Sequence, residues 1–129
     1  MKGEELYKKY SDLLIMPDII IIDSGWYQIV NEMLAAIKVY QDVNLGKSAL
    51  IPTVFDAITT KQGWLDIEHF GGDEVVEEIV KFSRILSFKT CEKCGKIGNL
   101  YCSGKWMHWS NKKTLCKKHA VELYYYTIA

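Results

Sequence analysis

The chain has 129 residues, 49% of them hydrophobic and 25% charged, which are the values of one globular domain and exclude a disordered, collagenous or low-complexity chain. Its longest aliphatic run, Ile19 to Ile22, is far short of the roughly 20 residues that a membrane helix needs. The first 16 residues contain Glu4, Glu5 and Asp12 and no apolar core of a secretory signal, so a cytoplasmic location is expected. Net charge is zero but divided: residues 1–80 hold 6 Lys against 14 Asp and Glu, a net −8, and residues 81–129 hold 10 Lys and Arg against 2 Glu, a net +8. Such a dipole bears on partners rather than on fold.

Residues 4–15 set Leu6, Tyr10, Leu13 and Leu14 on one face, which predicts a short amphipathic helix ended by Pro17. Asp18 to Asp23 reads as a β-branched connector or short strand. Ser24-Gly25 offers an N-cap, and Ile29, Met33, Ala36, Ile37 and Tyr40 carry the rhythm of a second helix from Trp26 to about Tyr40. Residues 42–52, with Gly46, Ser48 and Pro52, read as a loop. Two strand patterns follow, residues 54–60 and 64–70, joined by the three-residue turn Lys61-Gln62-Gly63. Val54, Asp56, Ile58 and Thr60 are expected on one face, and Trp64, Asp66, Glu68 and Phe70 on one face of the other strand. Gly71-Gly72-Asp73 is a break and cap. A third helix is predicted from about Glu74 to Ser87, with Val75, Val76, Ile79, Phe82, Ile85 and Leu86 inward.

Past Phe88 the chain becomes basic and cysteine-bearing. All four cysteines fall between positions 91 and 116, and in a cytosolic protein such crowding points to metal ligands rather than disulfides. Cys91 and Cys94 form C-x2-C; after 21 residues, Cys116 and His119 form C-x2-H. Each pair can close a knuckle on one tetrahedral Zn²⁺. Gly95 follows the second cysteine, where a knuckle needs an unusual backbone angle. Leu100-Tyr101-Cys102 and Trp106 to Trp109 predict a hairpin around Ser103-Gly104-Lys105, followed by a helix from His119 to about Thr127. That order of knuckle, hairpin and helix is the treble-clef arrangement. Three thiolates and an imidazole leave no open coordination position, so the zinc reads as structural and not hydrolytic. Cys102 and His108 are surplus donors, read as a small buried thiol and a packed ring. A site using Cys102 in place of His119 is the alternative.

Nothing in the chain builds a catalytic constellation. His69 and Glu68 are neighbours on a strand and point to opposite faces, so they do not form a base and its orienting carboxylate; His69 reads as an edge histidine. Phosphate-loop, nucleophile-elbow and zinc-protease motifs are missing. Asp18, Asp23 and Asp56 read as loop carboxylates. A non-enzymatic role is therefore expected. Lysines and tryptophans interleave after Lys93, a pattern able to track phosphates and stack on bases. The ten cations of the back half are nine Lys and one Arg, however, which disfavours bidentate base readout. Conversely, Asp56, Asp66, Glu68, Asp73, Glu74, Glu77 and Glu78 fall within 23 residues and are candidates for contact with a basic groove of a partner.

Several fragments together resemble a group of small phage and bacterial proteins. These are Gly25-Trp26-Tyr27 at a helix start, the mid-chain hairpin, Ser87 to Gly95 as Ser-x-x-Thr-Cys-Glu-x-Cys-Gly, and Thr114 to Ala120 as Thr-Leu-Cys-x-x-His-Ala. The likeness spans about residues 22–120. The group's Lys-Glu-Lys-Phe-Gly-Gly-Leu-Arg stretch is replaced here by Thr60 to Asp66. The chain is also similar to zinc-containing anti-CRISPR proteins against type II RNA-guided nucleases. That resemblance implies a phage or prophage protein, in the host cytoplasm, that inhibits a host defence nuclease by binding it and blocking the loading of target DNA.

The expectation is thus an α+β chain. An acidic body of residues 1–88, helices packed on a β-hairpin, joins a basic treble-clef-like zinc module of residues 89–129, packed as one unit. The other reading is a small nucleic-acid-binding or regulatory zinc-finger protein.

Overall fold

The computed structural model describes residues 2–44, 51–103 and 111–127. The fold is mixed α+β. In chain order it comprises α1 (Lys2–Lys9), β1 (Ile20–Ile21), α2 (Tyr27–Asn44), β2 (Val54–Lys61), β3 (Trp64–Phe70), α3 (Glu74–Ser87), β4 (Asn99–Cys102), β5 (Lys112–Leu115), α4 (Lys117–Glu122) and β6 (Tyr126–Thr127). Short 3-10 turns, Pro17–Ile19 and Ser24–Trp26, flank β1. No helix among the described residues is long and apolar enough to cross a membrane.

One sheet, in the order β1-β2-β3, carries the body, with β1 parallel and β3 antiparallel to β2. The core gathers Leu13, Trp26, Leu34, Ile37, Phe55, Ile58 and Leu65, all fully buried. Each such side chain contributes roughly 1.5–3 kcal/mol on burial. The first helix is shorter than its periodicity suggests. It ends at Lys9, and Leu14 then bridges to Phe55 as a strand would. The Phe55 N–H donates to Leu13 O (2.7 Å) and the Ile15 N–H donates to Phe55 O (3.1 Å). These bonds replace a last helical turn, while Leu6, Tyr10, Leu13 and Leu14 are all buried as expected.

The mid-chain hairpin forms, with two corrections. Its turn is the two-residue Gln62-Gly63, closed by the Lys61–Trp64 pair, with φ of +49° and +92°. Positive φ at both central residues matches the right-handed twist of the flanking strands. A bulge between Phe55 and Ala57 shifts the register at Asp56. Phe55 and Ile58 therefore both enter the core, and Asp56 is exposed rather than sharing a face with Ile58. On β3 the alternation is unbroken: Leu65 and Ile67 are buried, and Asp66 and Glu68 take the opposite face.

The boundaries of α3 match the sequence reading, and its inward face does so in part: Val76 is buried and Ile79 packs against the core as expected. Val76, Val80, Ser83 and Ser87 are buried, whereas Val75, Phe82, Ile85 and Leu86 are exposed. The reason is polar. β3 is the sheet edge, and its backbone needs partners. The Leu65 N–H donates to Ser87 Oγ (3.0 Å), and Arg84 Nε donates to Leu65 O (3.3 Å). Satisfying that edge turns the helix away from its most apolar arc. Asp73 caps α3, accepting from the Val75 and Val76 N–H groups and from the Tyr40 hydroxyl. The Tyr40 hydrogen bond holds the Asp73 carboxyl below its ordinary value.

The C-terminal part has its own small sheet, in the order β5-β4-β6. The strand paired with β4 is β5, at Lys112–Leu115; the strand expected at 106–109 lies outside the described residues. The last helix covers Lys117–Glu122 and gives way to β6, so it is shorter than the expected 119–127.

Among the described residues, hydrogen bonds join the body and the C-terminal part at two seats. At the first, the Gly25 N–H donates to Glu92 O (2.7 Å), Ser24 Oγ donates to Lys93 O (3.0 Å), and Trp26 Nε1 donates to Thr90 O (2.8 Å). Lys93 adds an ion pair to Asp23 at 2.9 Å. At the second, the hairpin turn meets β5: the Lys112 N–H donates to Gln62 Oε1 (2.9 Å), and Thr114 Oγ1 donates to Gly63 O (2.7 Å).

Candidate metal centre

Cys91, Cys94, Cys116 and His119 converge, with their donor atoms all within 4.8 Å of one another. The first two lie on the turn between α3 and β4. The Cys91 N–H donates to Lys96 O (2.7 Å) and the Gly95 N–H donates to Cys91 O (2.9 Å), which closes the knuckle, and Gly95 has φ of +81°. The other two lie at the start of α4, where Cys116 precedes the first turn and His119 sits within it. Their i, i+3 spacing puts them on one side of that turn.

Metal–sulfur bonds of about 2.3 Å make the edge of a tetrahedron about 3.8 Å. Cys94 Sγ and Cys116 Sγ are 3.7 Å apart. His119 Nδ1 is 3.6 Å from Cys91 Sγ and 3.2 Å from Cys116 Sγ. None of the four cysteines is in a disulfide. The donor set therefore fits one ion held by three sulfurs and one ring nitrogen. The His119 backbone N–H lowers the Cys116 thiol from 9.0 to about 6, which favours the thiolate that a metal requires. On the far side of the ring, His119 Nε2 lies 3.9 Å from a Glu122 carboxylate oxygen, beyond hydrogen-bond distance. Cys102 is buried on β4 and is not among the clustered donors, so the alternative ligand set is not formed. His108 lies outside the described residues.

A buried carboxylate supports the knuckle. Glu92 is 1% exposed and accepts from the Thr114 N–H (2.9 Å), with Lys113 Nζ at 3.6 Å. Burial pushes its carboxyl up, and Lys113 pulls it back only in part. Because the folded value is raised, ionisation of Glu92 lowers stability as pH rises through it. Glu92→Gln keeps an oxygen for Thr114 and removes the charge; urea unfolding of the metal-loaded variant at pH 7 is expected within about 1 kcal/mol of the parent chain. Glu92→Ala orphans the Thr114 N–H and is expected to lose about 1–3 kcal/mol. Equal losses in both variants would show that the charge, not the acceptor, matters.

The acidic candidates are spread over the body. Asp66 and Glu68 lie on the solvent face of the sheet, and Asp56 is exposed in the bulge. Asp73 is occupied as the α3 cap, and Glu74 is exposed beside it. Glu77 is drawn to His69, with Nε2 to Oε1 at 3.2 Å. Glu78 is exposed and lines a groove shared with Glu32 and Ala36 of α2. His69 lies on the edge strand β3 as expected, with its side chain 8% exposed and packed against Phe55. Among the basic candidates, Lys93 and Lys113 are held by Asp23 and Glu92, while Lys117 and Lys118 are exposed.

Sequence reasoning missed two supports of the site. Gly25 and Trp26 read only as a helix start, yet they seat the knuckle. Glu92 read as one more knuckle residue, yet it is a buried acceptor. The signal for the first pair was a glycine directly before a large aromatic, far from any hairpin turn. No protein-family model, curated protein or solved structure matches the chain.

Proposed function

We propose that the chain is a non-enzymatic binding protein whose Cys91-Cys94-Cys116-His119 site holds a structural Zn²⁺ in a treble-clef-like module. Three thiolates and an imidazole are a zinc-preferring set. The observation that carries this reading is the completeness of the four-donor cluster together with its seat on Gly25 and Trp26. A saturated ion has no position left for substrate or water. An ion wedged against the body stiffens a surface instead. The target, on the resemblance described above, is a host type II RNA-guided nuclease in the cytoplasm, inhibited by occlusion of its DNA-loading groove.

The test adds zinc-loaded protein to a guide-loaded type II nuclease at several salt concentrations, with free duplex DNA assayed in parallel. Loss of target binding and cleavage, without affinity for free DNA, is the expected result. The exposed Lys117 and Lys118 support a second reading, binding of nucleic acid. It predicts binding to free DNA with a log–log salt slope of roughly −4 to −5 if about five lysines engage phosphates. Two of the lysines it would use, Lys93 and Lys113, are already held in internal ion pairs, so the protein-binding reading is preferred.

A further inference from the structure

α3 turns its most apolar arc away from the core, leaving Val75, Phe82, Ile85 and Leu86 43%, 60%, 48% and 38% exposed. α2 runs beside it in the opposite sense: Tyr40 reaches Asp73 at the start of α3, while Trp26, ahead of α2, reaches Thr90 beyond its end. Between them lies a groove of about 380 Å³. Its apolar lining includes Val75, Ile79, Phe82 and Leu86 from α3 and Ala36 from α2, over a floor of the buried Ile29 and Met33. The charged residues that line it are Glu32 and Glu78, one from each wall; among the described residues no Lys or Arg lines it. A contiguous apolar face of this kind with polar edges marks an interaction site.

The dimensions and the charge together choose the occupant. From Ile29 to Ala36 the α2 wall spans about 10 Å, two helical turns. An incoming helix covers that span with apolar side chains at i, i+3, i+4 and i+7. A carboxylate on each wall selects Lys or Arg beside that stripe. A second copy of this chain would instead bring four carboxylates together with no cation from either groove, which like-charge repulsion opposes. We propose that the α2–α3 groove docks a basic amphipathic helix of the partner protein. The proposal rests on the binding-protein reading and names its contact surface, drawing Glu78 from the acidic candidates and adding Glu32 and the apolar lining.

The probe is a labelled, helix-stapled peptide with Leu at i, i+3, i+4 and i+7 and Lys on both flanks, beside a twin carrying Glu in place of Lys. Fluorescence anisotropy with the metal-loaded full chain is expected to show saturable binding of the Lys peptide and binding of the Glu twin at least about tenfold weaker. Phe82→Asp, and separately the pair Glu32→Lys and Glu78→Lys, are expected to weaken the Lys peptide at least about tenfold; the charge-reversed pair should gain affinity for the Glu twin. These side chains face water, and metal content and melting temperature check that the variants fold. No saturable binding, or equal binding by the variants, overturns the proposal. A concentration-dependent dimer that Phe82→Asp dissolves overturns it in favour of a second copy. Full inhibition of the nuclease by Phe82→Asp overturns the groove and leaves the binding-protein reading standing. Peptide binding without nuclease inhibition supports the groove and removes that nuclease as the target.

Discussion

Stripping the metal is expected to unfold the C-terminal module and to lower the melting temperature of the whole chain by roughly 15–25 °C. The buried apolar cluster there is Cys91, Leu115 and Ala120, all of which flank or supply the ligands. Such a core does not offset the entropy of ordering its residues. Structural zinc contributes about 10–16 kcal/mol to the folding of isolated zinc-finger peptides. Here the module also leans on the body, so a loss of about 5 kcal/mol is a conservative figure, and at about 3–5 °C per kcal/mol it gives the stated shift. Calorimetry before and after chelation measures it, and elemental analysis should find one zinc per chain. Cys116→Ser and His119→Ala are expected to lose the ion. Cys102→Ser, which removes a buried thiol outside the cluster, is expected to keep it. An unchanged transition after complete metal removal would refute the structural role.

Gly25→Ala is expected to destabilise the chain by about 3–5 kcal/mol, at the severe end for a single methyl. A Cβ at Gly25 would lie 2.1 Å from the Cys91 carbonyl oxygen and 2.5 Å from the Glu92 carbonyl carbon and oxygen. These are backbone atoms of the knuckle, so no side chain can rotate to make room. Relief requires the knuckle to lift, which stretches the Gly25–Glu92 and Trp26–Thr90 hydrogen bonds. The variant should therefore lose metal affinity as well as stability, although residue 25 is no ligand. Gly3→Ala is the control. Its Cβ would have ordinary contacts at 3.9 Å, and alanine is the better helix former, so unchanged or slightly raised stability is expected. Equal melting temperatures for the two variants would sink this account of the seat.

The elements that declared themselves in the sequence were those governed by local chemistry. The C-x2-C and C-x2-H pairs carry their own geometry, and α3 announces both ends through the Asp73 cap and the basic turn at Arg84. In α3 the inward face was less legible than the boundaries. Periodicity assigns the more apolar arc of α3 to the core, but Ser87 and Arg84 answer to the edge of β3, and a hydrogen bond to a distant strand leaves no local trace. The bulge at Asp56 and the early end of α1 have the same origin, for both follow from Leu13–Ile15 and Phe55 meeting across forty residues. Val75, Phe82 and Leu86, which periodicity sent inward, line the groove instead, the surface that the proposal assigns to a partner.

The seat on Gly25 also orders events in time. Trp26 finds its hydrogen-bond partner 64 positions later, and Ser24 finds its own 69 positions later. At 5–20 residues per second, synthesis of that stretch takes roughly 3–13 s. Throughout that interval the start of α2 lacks its cover, and the body waits on a knuckle that has not yet met an ion. On the structural-zinc reading proposed above, cells short of zinc would hold this chain in its unfinished form, open to proteases, and the supply of a trace metal would set how much finished protein accumulates.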